Sequence, residues 1–270
     1  KVADAINMYY EGMSLREIRR NFIQQHNDYI SDVTALNWVN RFTELAVKET
    51  KNYKPDVGSV WVADETVLDI DGKNVWLWDI IDTKPRFLIA THMSFTRTTR
   101  DAEQLMKQAY EQTGKIPRII YTDKLRAYLD GIELTFGADT AHKQGSPFDV
   151  GSNNNFIERF HSTLKSRTKV MRGLHSVESA RKYLDGWLVH YNYFRPHMSL
   201  NDMTPSQKAG VKFPFRNWKD ITEQPYEKTA RIAMPKPTIS ETQPVISRRP
   251  VLATRGVVRI TPRTPRISSN

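Results

Sequence analysis

There is no cysteine among the 270 residues. Its absence excludes disulfides and thiolate-bound zinc and fits a reducing compartment. No apolar run approaches the roughly 20 residues that a membrane-spanning helix needs; the longest, such as VWLWDII and RFLIATHM, are strand-sized. No signal peptide and no internal repeat is visible. The chain begins at Lys1 rather than Met, so residues are expected upstream. Acidic residues are the minority, 30 Asp and Glu against 40 Lys and Arg, for a net charge of +10. A basic chain of this size calls for an anionic partner, most commonly nucleic acid. Charge alone does not separate that reading from a ribosome-associated or simply basic protein.

Residues 1–50 read as short helices. Val2, Ile6 and Tyr9 share one helical face, Gly12 interrupts it, and Ser14 with Glu17 forms a capping-box pattern. A third helix is expected at about 32–46, with Val33, Leu36, Trp38, Val39 and Phe42 as its apolar residues. This order fits a DNA-binding helix-turn-helix and equally a small helical bundle. Residues 51–58 read as a linker. The period then changes to two, with SVWVADETVLDI, a DGK turn, NVWLWDIID and RFLIATHM. A helix from Thr98 to Gly114, a strand IPRIIYTD, a short helix KLRAYLDG and short strands and loops over 132–150 follow. Helices at about Asn153–Val170 and Val177–Tyr193 complete a core at 59–220. This order predicts an α/β fold with a mixed sheet flanked by helices. Beyond 220 the composition changes: residues 225–270 hold seven of the 14 prolines and nine Lys or Arg against two Glu. Such a basic, Pro-rich tail tracks a DNA backbone or simply stays solvated.

Three carboxylates carry the candidate chemistry. Asp64 falls on the strand face of Val60, Val62, Thr66, Leu68 and Ile70, where a charge is costly unless paired or metal-bound. A Lys or Arg partner is one alternative. Another is that the opposite phase is buried, through Trp61, Ala63 and Val67, with Glu65 as the odd residue. Asp123 closes the strand RIIYTD, at the strand end where ligands of α/β sheets gather; it also suits a helix cap. Glu158 flanks a helical stripe of Ile157, Phe160, Leu164 and Met171, and Ser162, Lys165 and Lys169 continue its own face. Converging carboxylates repel unless cations neutralise them, and hard divalent ions prefer oxygen ligands. His161, one turn after Glu158, either supports such a site or merely packs. HYNYFRPH offers the Arg, His and Tyr of a tyrosine recombinase as a rival reading, or else core aromatics.

ADET with Asp64, IIYTDK with Asp123 and NNNFIERFHSTLKSRTK with Glu158 resemble the DDE transposases of prokaryotic insertion sequences, most closely the insertion-sequence six, or two-forty, group. The 34 residues between Asp123 and Glu158 match the spacing of that group, and Lys165 fills its basic position seven residues after the Glu. HYNYFRPHMSLNDMTPSQKAG resembles the group's usual core ending. The resemblance covers about residues 55–211. It implies a ribonuclease-H-like five-stranded mixed sheet with the first strand central, the fourth beside it and the last carboxylate on a nearby helix. It implies that Asp64, Asp123 and Glu158 hold two ions of Mg²⁺ or Mn²⁺. It also implies cleavage at terminal inverted repeats and transfer of the new 3′-hydroxyl to target DNA. Lys165 would contact phosphate, and Arg159, Arg167, Lys169 and Asn154 are further DNA-contact candidates. Asn153, Asn154 and Asn155 serve equally as helix caps. A homodimer or larger synaptic assembly is implied, in the cytoplasm on the nucleoid and away from membranes. A DNA binder without catalysis, and a nuclease that cleaves without joining, remain as alternatives.

Overall fold

The computed structural model describes residues 1–145, 156–170, 174 and 176–224. Asn153, Asn154, Asn155, Met171 and the basic tail lie outside the described residues.

Three helices come first: α1 (Val2–Tyr10), α2 (Leu15–His26) and α3 (Asp32–Thr50). Ser14 and Glu17 form the expected capping box, with the Glu17 carboxylate accepting the Ser14 backbone N–H at 2.7 Å. α3 runs further than its apolar pattern suggested. Its buried face is Ala35, Val39, Thr43, Ala46 and Thr50, whereas Val33 is 67% exposed. Small and hydroxyl side chains allow close packing here, a signal that a count of large apolar residues overlooks.

The sheet follows. β1 (Val60–Ile70), β2 (Lys73–Asp82) and β3 (Leu88–Ser94) form an antiparallel meander. The β1–β2 turn places both Asp71 and Gly72 at positive φ, 53° and 72°, the geometry that a two-residue hairpin favours. After α4 (Thr99–Thr113), β4 (Ile119–Thr122) pairs parallel to β1. After α5 (Arg126–Phe136), β5 (Ala141–Gln144) pairs parallel to β4. The strand order is β3-β2-β1-β4-β5, so β1 is central with β4 beside it. This is the ribonuclease-H-like arrangement. α5 extends past the short helix expected from KLRAYLDG, because Ile132 and Phe136 continue its buried face.

Helices cover both sides of the sheet. Phe136 and Tyr128 of α5 meet Trp61 and Trp78 edge-on, fixing α5 to the face shared by Trp61, Ala63 and Glu65. α6 (Phe156–Val170) lies on the opposite face, where Asp64 and Asp79 are cross-strand partners. Ile157, Phe160 and Leu164 are its buried stripe, at 0%, 3% and 0% exposure. α7 (Val177–Val189) ends sooner than expected, in a π-helical turn over His190–Phe194. That turn has a clear purpose. The Asn192 side chain accepts the Leu88 N–H at 2.9 Å and donates to the Leu88 carbonyl at 2.8 Å. A side-chain amide thus satisfies the outer backbone of β3 as another strand would. Two short helices, α8 (Pro205–Lys208) and α9 (Trp218–Thr222), follow.

The amino-terminal helices pack on this core. Tyr10 hydrogen-bonds Thr43 at 2.7 Å and stacks on Trp218 with ring centroids 5.3 Å apart. Gly186 of α7 makes room for it: a Cβ there would lie 1.9 Å from the Tyr10 hydroxyl. Among the described residues no helix is long and apolar enough to cross a membrane.

Candidate active site

Strand register brings the first two carboxylates together. Val60 pairs with Ile119, Trp61 with Ile120 and Val62 with Tyr121. Continuing that parallel register two residues sets Asp64 beside Asp123, and neighbouring strands lie about 4.8 Å apart. β4 ends at Thr122, so among the described residues no strand covers the β1 edge at this level. Side chains from either face of β1 can therefore turn around the edge toward Asp123. Glu65, nominally on the opposite face from Asp64, does so: ligand atoms of Asp64, Glu65 and Asp123 all lie within 4.8 Å of one another.

Charge in this group is high and partly desolvated. The Glu65 side chain is only 2% exposed, with the buried Tyr128 hydroxyl beside it. Burial pushes the Asp64 carboxyl up to about 6; nearby Glu65 and Asp123 push the same way, and His161 opposes them. Asp123 accepts the Leu125 backbone N–H at 2.8 Å, which orients its carboxylate at the start of α5. Arg97, from the loop between β3 and α4, reaches in from outside. Its guanidinium lies 4.7 Å from the Trp76 ring centroid, bonds Glu65 and stands 3.5 Å from Asp123. Three clustered carboxylates, one of them almost fully buried, and a guanidinium drawn toward them describe a hard-oxygen site short of positive charge. That donor set fits divalent cations.

Behind Asp64 sits a second layer. His161 of α6 places Nε2 2.9 Å from Asp79, which is 0% exposed, and Nδ1 3.6 Å from Asp64. Burial opposes charging of this imidazole, but the hydrogen bond and charge of Asp79, with Asp64, hold its pKa above the ordinary histidine value. The imidazole thus ties α6 to β1 and β2 directly behind the site. His161→Ala leaves Asp79 buried and unpartnered. Stability is expected to fall by about 3 kcal/mol, read as a lower urea midpoint. An unchanged midpoint would show that Asp79 finds another partner or a proton.

Glu158 occupies the first turn of α6, exposed, between buried Ile157 and Phe160. It lies one turn before His161, on the helix that His161 anchors to Asp64, but it is not within the 4.8 Å carboxylate group. The structure therefore brings Asp64 and Asp123 together and leaves Glu158 outside their group, one turn before His161 on α6. Arg159, Lys165 and Lys169 are exposed on the same helix. Arg167 is not: it is 2% exposed, its guanidinium 4.2 Å from the Tyr9 ring centroid. Asn154 lies outside the described residues.

Sequence reasoning passed over Arg97 and Asp79, and treated Glu65 only as the odd residue of the alternative phase. Strand alternation sends Glu65 away from Asp64, so only the early end of β4 reveals that they meet. The tyrosine-recombinase reading finds no support in the geometry. Tyr191 is 6% exposed with its hydroxyl pushed up to about 12 by burial, and His197 packs on its ring at 4.7 Å.

Comparison with known proteins follows this geometry. No curated protein matches the sequence. Among solved structures, the chain is similar to the HTLV-2 integrase catalytic core domain in complex with magnesium (18% identity, 58% of this chain and 97% of that one, TM-score 0.43). It is likewise similar to the BIV integrase catalytic core domain (17% identity, 56% and 93%, TM-score 0.43). Likenesses of this degree carry no weight for function. A family model described as a DDE domain, of the IS240 transposase type, matches residues 58–197. That span is more than half of the chain and includes Asp64, Asp123 and Glu158. Chemistry in this family depends on divalent metal. The chain belongs to the DDE domain family of IS240-type transposases, and it is a DDE-type nucleotidyl-transferring enzyme of DNA transposition.

Proposed function

We propose that the protein cleaves DNA at the terminal inverted repeats of an insertion sequence and joins the resulting 3′-hydroxyl to target DNA. Asp64, Asp123 and Glu158 are its metal-holding carboxylates. The observation that carries this reading is the parallel register placing Asp64 beside Asp123 at the open edge of β1, with α6 anchored next to them by His161. Two Mg²⁺ or Mn²⁺ ions, when bound, activate the attacking oxygen and stabilise the leaving one.

The side chains do the rest. Asp64 and Asp123 present oxygens from two adjacent strands, so their separation is set by the backbone rather than by flexible loops. His161 holds α6 against Asp79 and Asp64, and Glu158, one turn earlier on α6, would join Asp64 and Asp123 in holding the cations. Asp79, Glu65 and the low exposure around them keep water from the back of the site. Arg97 supplies positive charge beside the carboxylates and is well placed to meet a phosphate of the scissile strand. Lys165, two turns beyond Glu158 on the same exposed face, contacts the backbone of the bound end, with Arg159, Lys169 and the Asn154 segment as further contacts. Residues 1–50 recognise the repeat, and 59–220 form the catalytic core. Two subunits or more hold two ends at once, as a homodimer or larger synaptic assembly, on DNA in the cytoplasm.

A strand-transfer assay with a pre-cleaved end and a supercoiled target tests this reading. Joined product is expected. Cleavage of an intact end with no joining of a pre-cleaved one would instead identify a metal-dependent nuclease. Lys165→Ala is expected to flatten the dependence of binding on log salt concentration by about one unit of slope. An unchanged slope in filter binding would place Lys165 away from phosphate.

A further inference from the structure

Asp64 and Asp123 are held in place differently. Asp64 lies inside β1, paired with Asp79 of β2 and with His161 behind it. Asp123 lies one residue past the end of β4, where the ladder has stopped, and its side chain is 44% exposed. A metal-holding carboxylate works only if its position is fixed to within about 0.5 Å, so something besides the sheet must fix this one. Its carboxylate accepts the Leu125 N–H at 2.8 Å. Its backbone is fixed through Thr122.

Thr122 is 2% exposed. Its carbonyl accepts the N–H of Gly145, just beyond β5, at 2.9 Å. Its hydroxyl donates to the Asp123 carbonyl at 2.8 Å. The Nε2 of His142 lies 2.8 Å from the same hydroxyl oxygen. A hydroxyl has one proton to give. Because that proton goes to Asp123, the imidazole is the donor in the second bond, and Nε2 carries its hydrogen. The His142 N–H thus occupies a lone pair of the Thr122 oxygen and leaves the hydroxyl proton directed at the Asp123 carbonyl.

β5 is an edge strand on which Ala141, Lys143 and Gln144 are exposed and His142 is half-buried. Parallel register pairs His142 with Ile120, two residues before Thr122, so all three share one face of the sheet. The imidazole reaches along that face toward the catalytic end of β4. Burial holds its pKa below the ordinary histidine value, opposed by the nearby charge of Asp123. An apolar residue at 142 would pack equally well but donate nothing.

We propose that His142 is a positioning residue for the reaction: through the Thr122 hydroxyl it sets the backbone of Asp123, and with it the carboxylate that holds divalent cations. The inference rests on the reading of Asp123 as a metal ligand and adds the side chain that fixes its place. It makes the edge strand part of the active site, although no residue of β5 belongs to the carboxylate group.

The test uses Mg²⁺ alone and the full chain. Urea midpoints are measured at rising Mg²⁺ for wild type, His142→Leu, His142→Gln, Thr122→Val and the His142→Leu, Thr122→Val double variant. Mg²⁺ is expected to raise the wild-type midpoint. His142→Leu should need about tenfold more Mg²⁺ for the same rise, and His142→Gln, whose amide N–H replaces that of Nε2, should stay within about twofold of wild type. Thr122→Val should match His142→Leu, and the two changes together should shift the requirement no further than either alone. A wild-type Mg²⁺ response in His142→Leu, or no recovery in His142→Gln, would show that the imidazole only packs and overturns the relay. Should His142→Leu fail to fold, Thr122→Val against Thr122→Ser decides. Thr122→Ser keeps the hydroxyl and should respond as wild type does; equal responses from both overturn the relay. If Mg²⁺ leaves the wild-type midpoint unchanged, the metal reading of Asp123 fails first and the relay falls with it.

Discussion

Replacing Asp64 or Asp123 by Asn is expected to lower strand cleavage and strand transfer by about a thousandfold or more while leaving binding of DNA ends nearly intact. Both residues sit where parallel strands β1 and β4 set their oxygens side by side. On the proposed assignment, either substitution weakens a metal-holding group without disturbing the fold. The Asp64 substitution should also change stability in a direction that a purely structural residue would not. The folded-state pKa of Asp64 is about 6, above its ordinary value of 3.8, because of burial. Between those values the folded protein holds a proton that the unfolded chain has released. Stability of the metal-free protein therefore falls as pH rises through that window, and the loss is complete above it. At about 1.4 kcal/mol per unit, the penalty approaches roughly 2–3 kcal/mol at pH 7.5. Asp64→Asn should raise the metal-free midpoint at pH 7.5 and leave it unchanged near pH 4. Added Mg²⁺ should stabilise the wild type and not the variant. Chemical denaturation at the two pH values, with and without Mg²⁺, reads all three effects. Equal midpoints for both proteins at pH 7.5 would mean that Asp64 ionises without strain.

Glu158→Gln is expected to reduce cleavage by a similar factor of about a thousand, whereas Glu65→Gln should lower it by less than about tenfold. The contrast matters because the metal-free geometry ranks them the other way. Glu65 lies in the carboxylate group, and Glu158 stands outside it. Glu65, however, is 2% exposed and bonded to Arg97, so its reachable oxygen is already engaged on the α5 side of the sheet. Glu158 is exposed, on the Asp64 side, one turn from His161. It is free to reach cations shared with Asp64, at little cost in existing bonds. Single-turnover cleavage with both variants distinguishes the roles. A thousandfold loss in Glu65→Gln with near-normal Glu158→Gln would move the third ligand from α6 to β1.

Much of this was legible in the sequence, for identifiable reasons. The period of two in β1 and β2, the Asp71–Gly72 turn and the Ser14 cap are local signals, and local physics decides them. Asp64 was conspicuous as a carboxylate in a buried strand pattern, whereas Asp123 and Glu158, each weak alone, stood out only together with it and through the resemblance of their motifs to those of DDE transposases. Register was the missing information. Nothing local tells that β4 stops at Thr122, and this early end lets Glu65 and Asp64 meet Asp123 from opposite faces of one strand. The Asn192 clamp on Leu88 was hidden for a similar reason, since 104 residues separate partners that only the fold brings together. Arg167 looked like one more basic residue on an amphipathic helix. Its burial depends on Tyr9 and Tyr183, from helices far away in sequence.

The most direct measurement is anomalous scattering from a crystal soaked in Mn²⁺ with a bound DNA end. Manganese is expected between Asp64 and Asp123, with a Glu158 oxygen within coordinating distance and His161 still bonded to Asp79. Manganese bound by Glu65 and Asp123 alone, with Glu158 turned to solvent, would contradict the proposed catalytic trio.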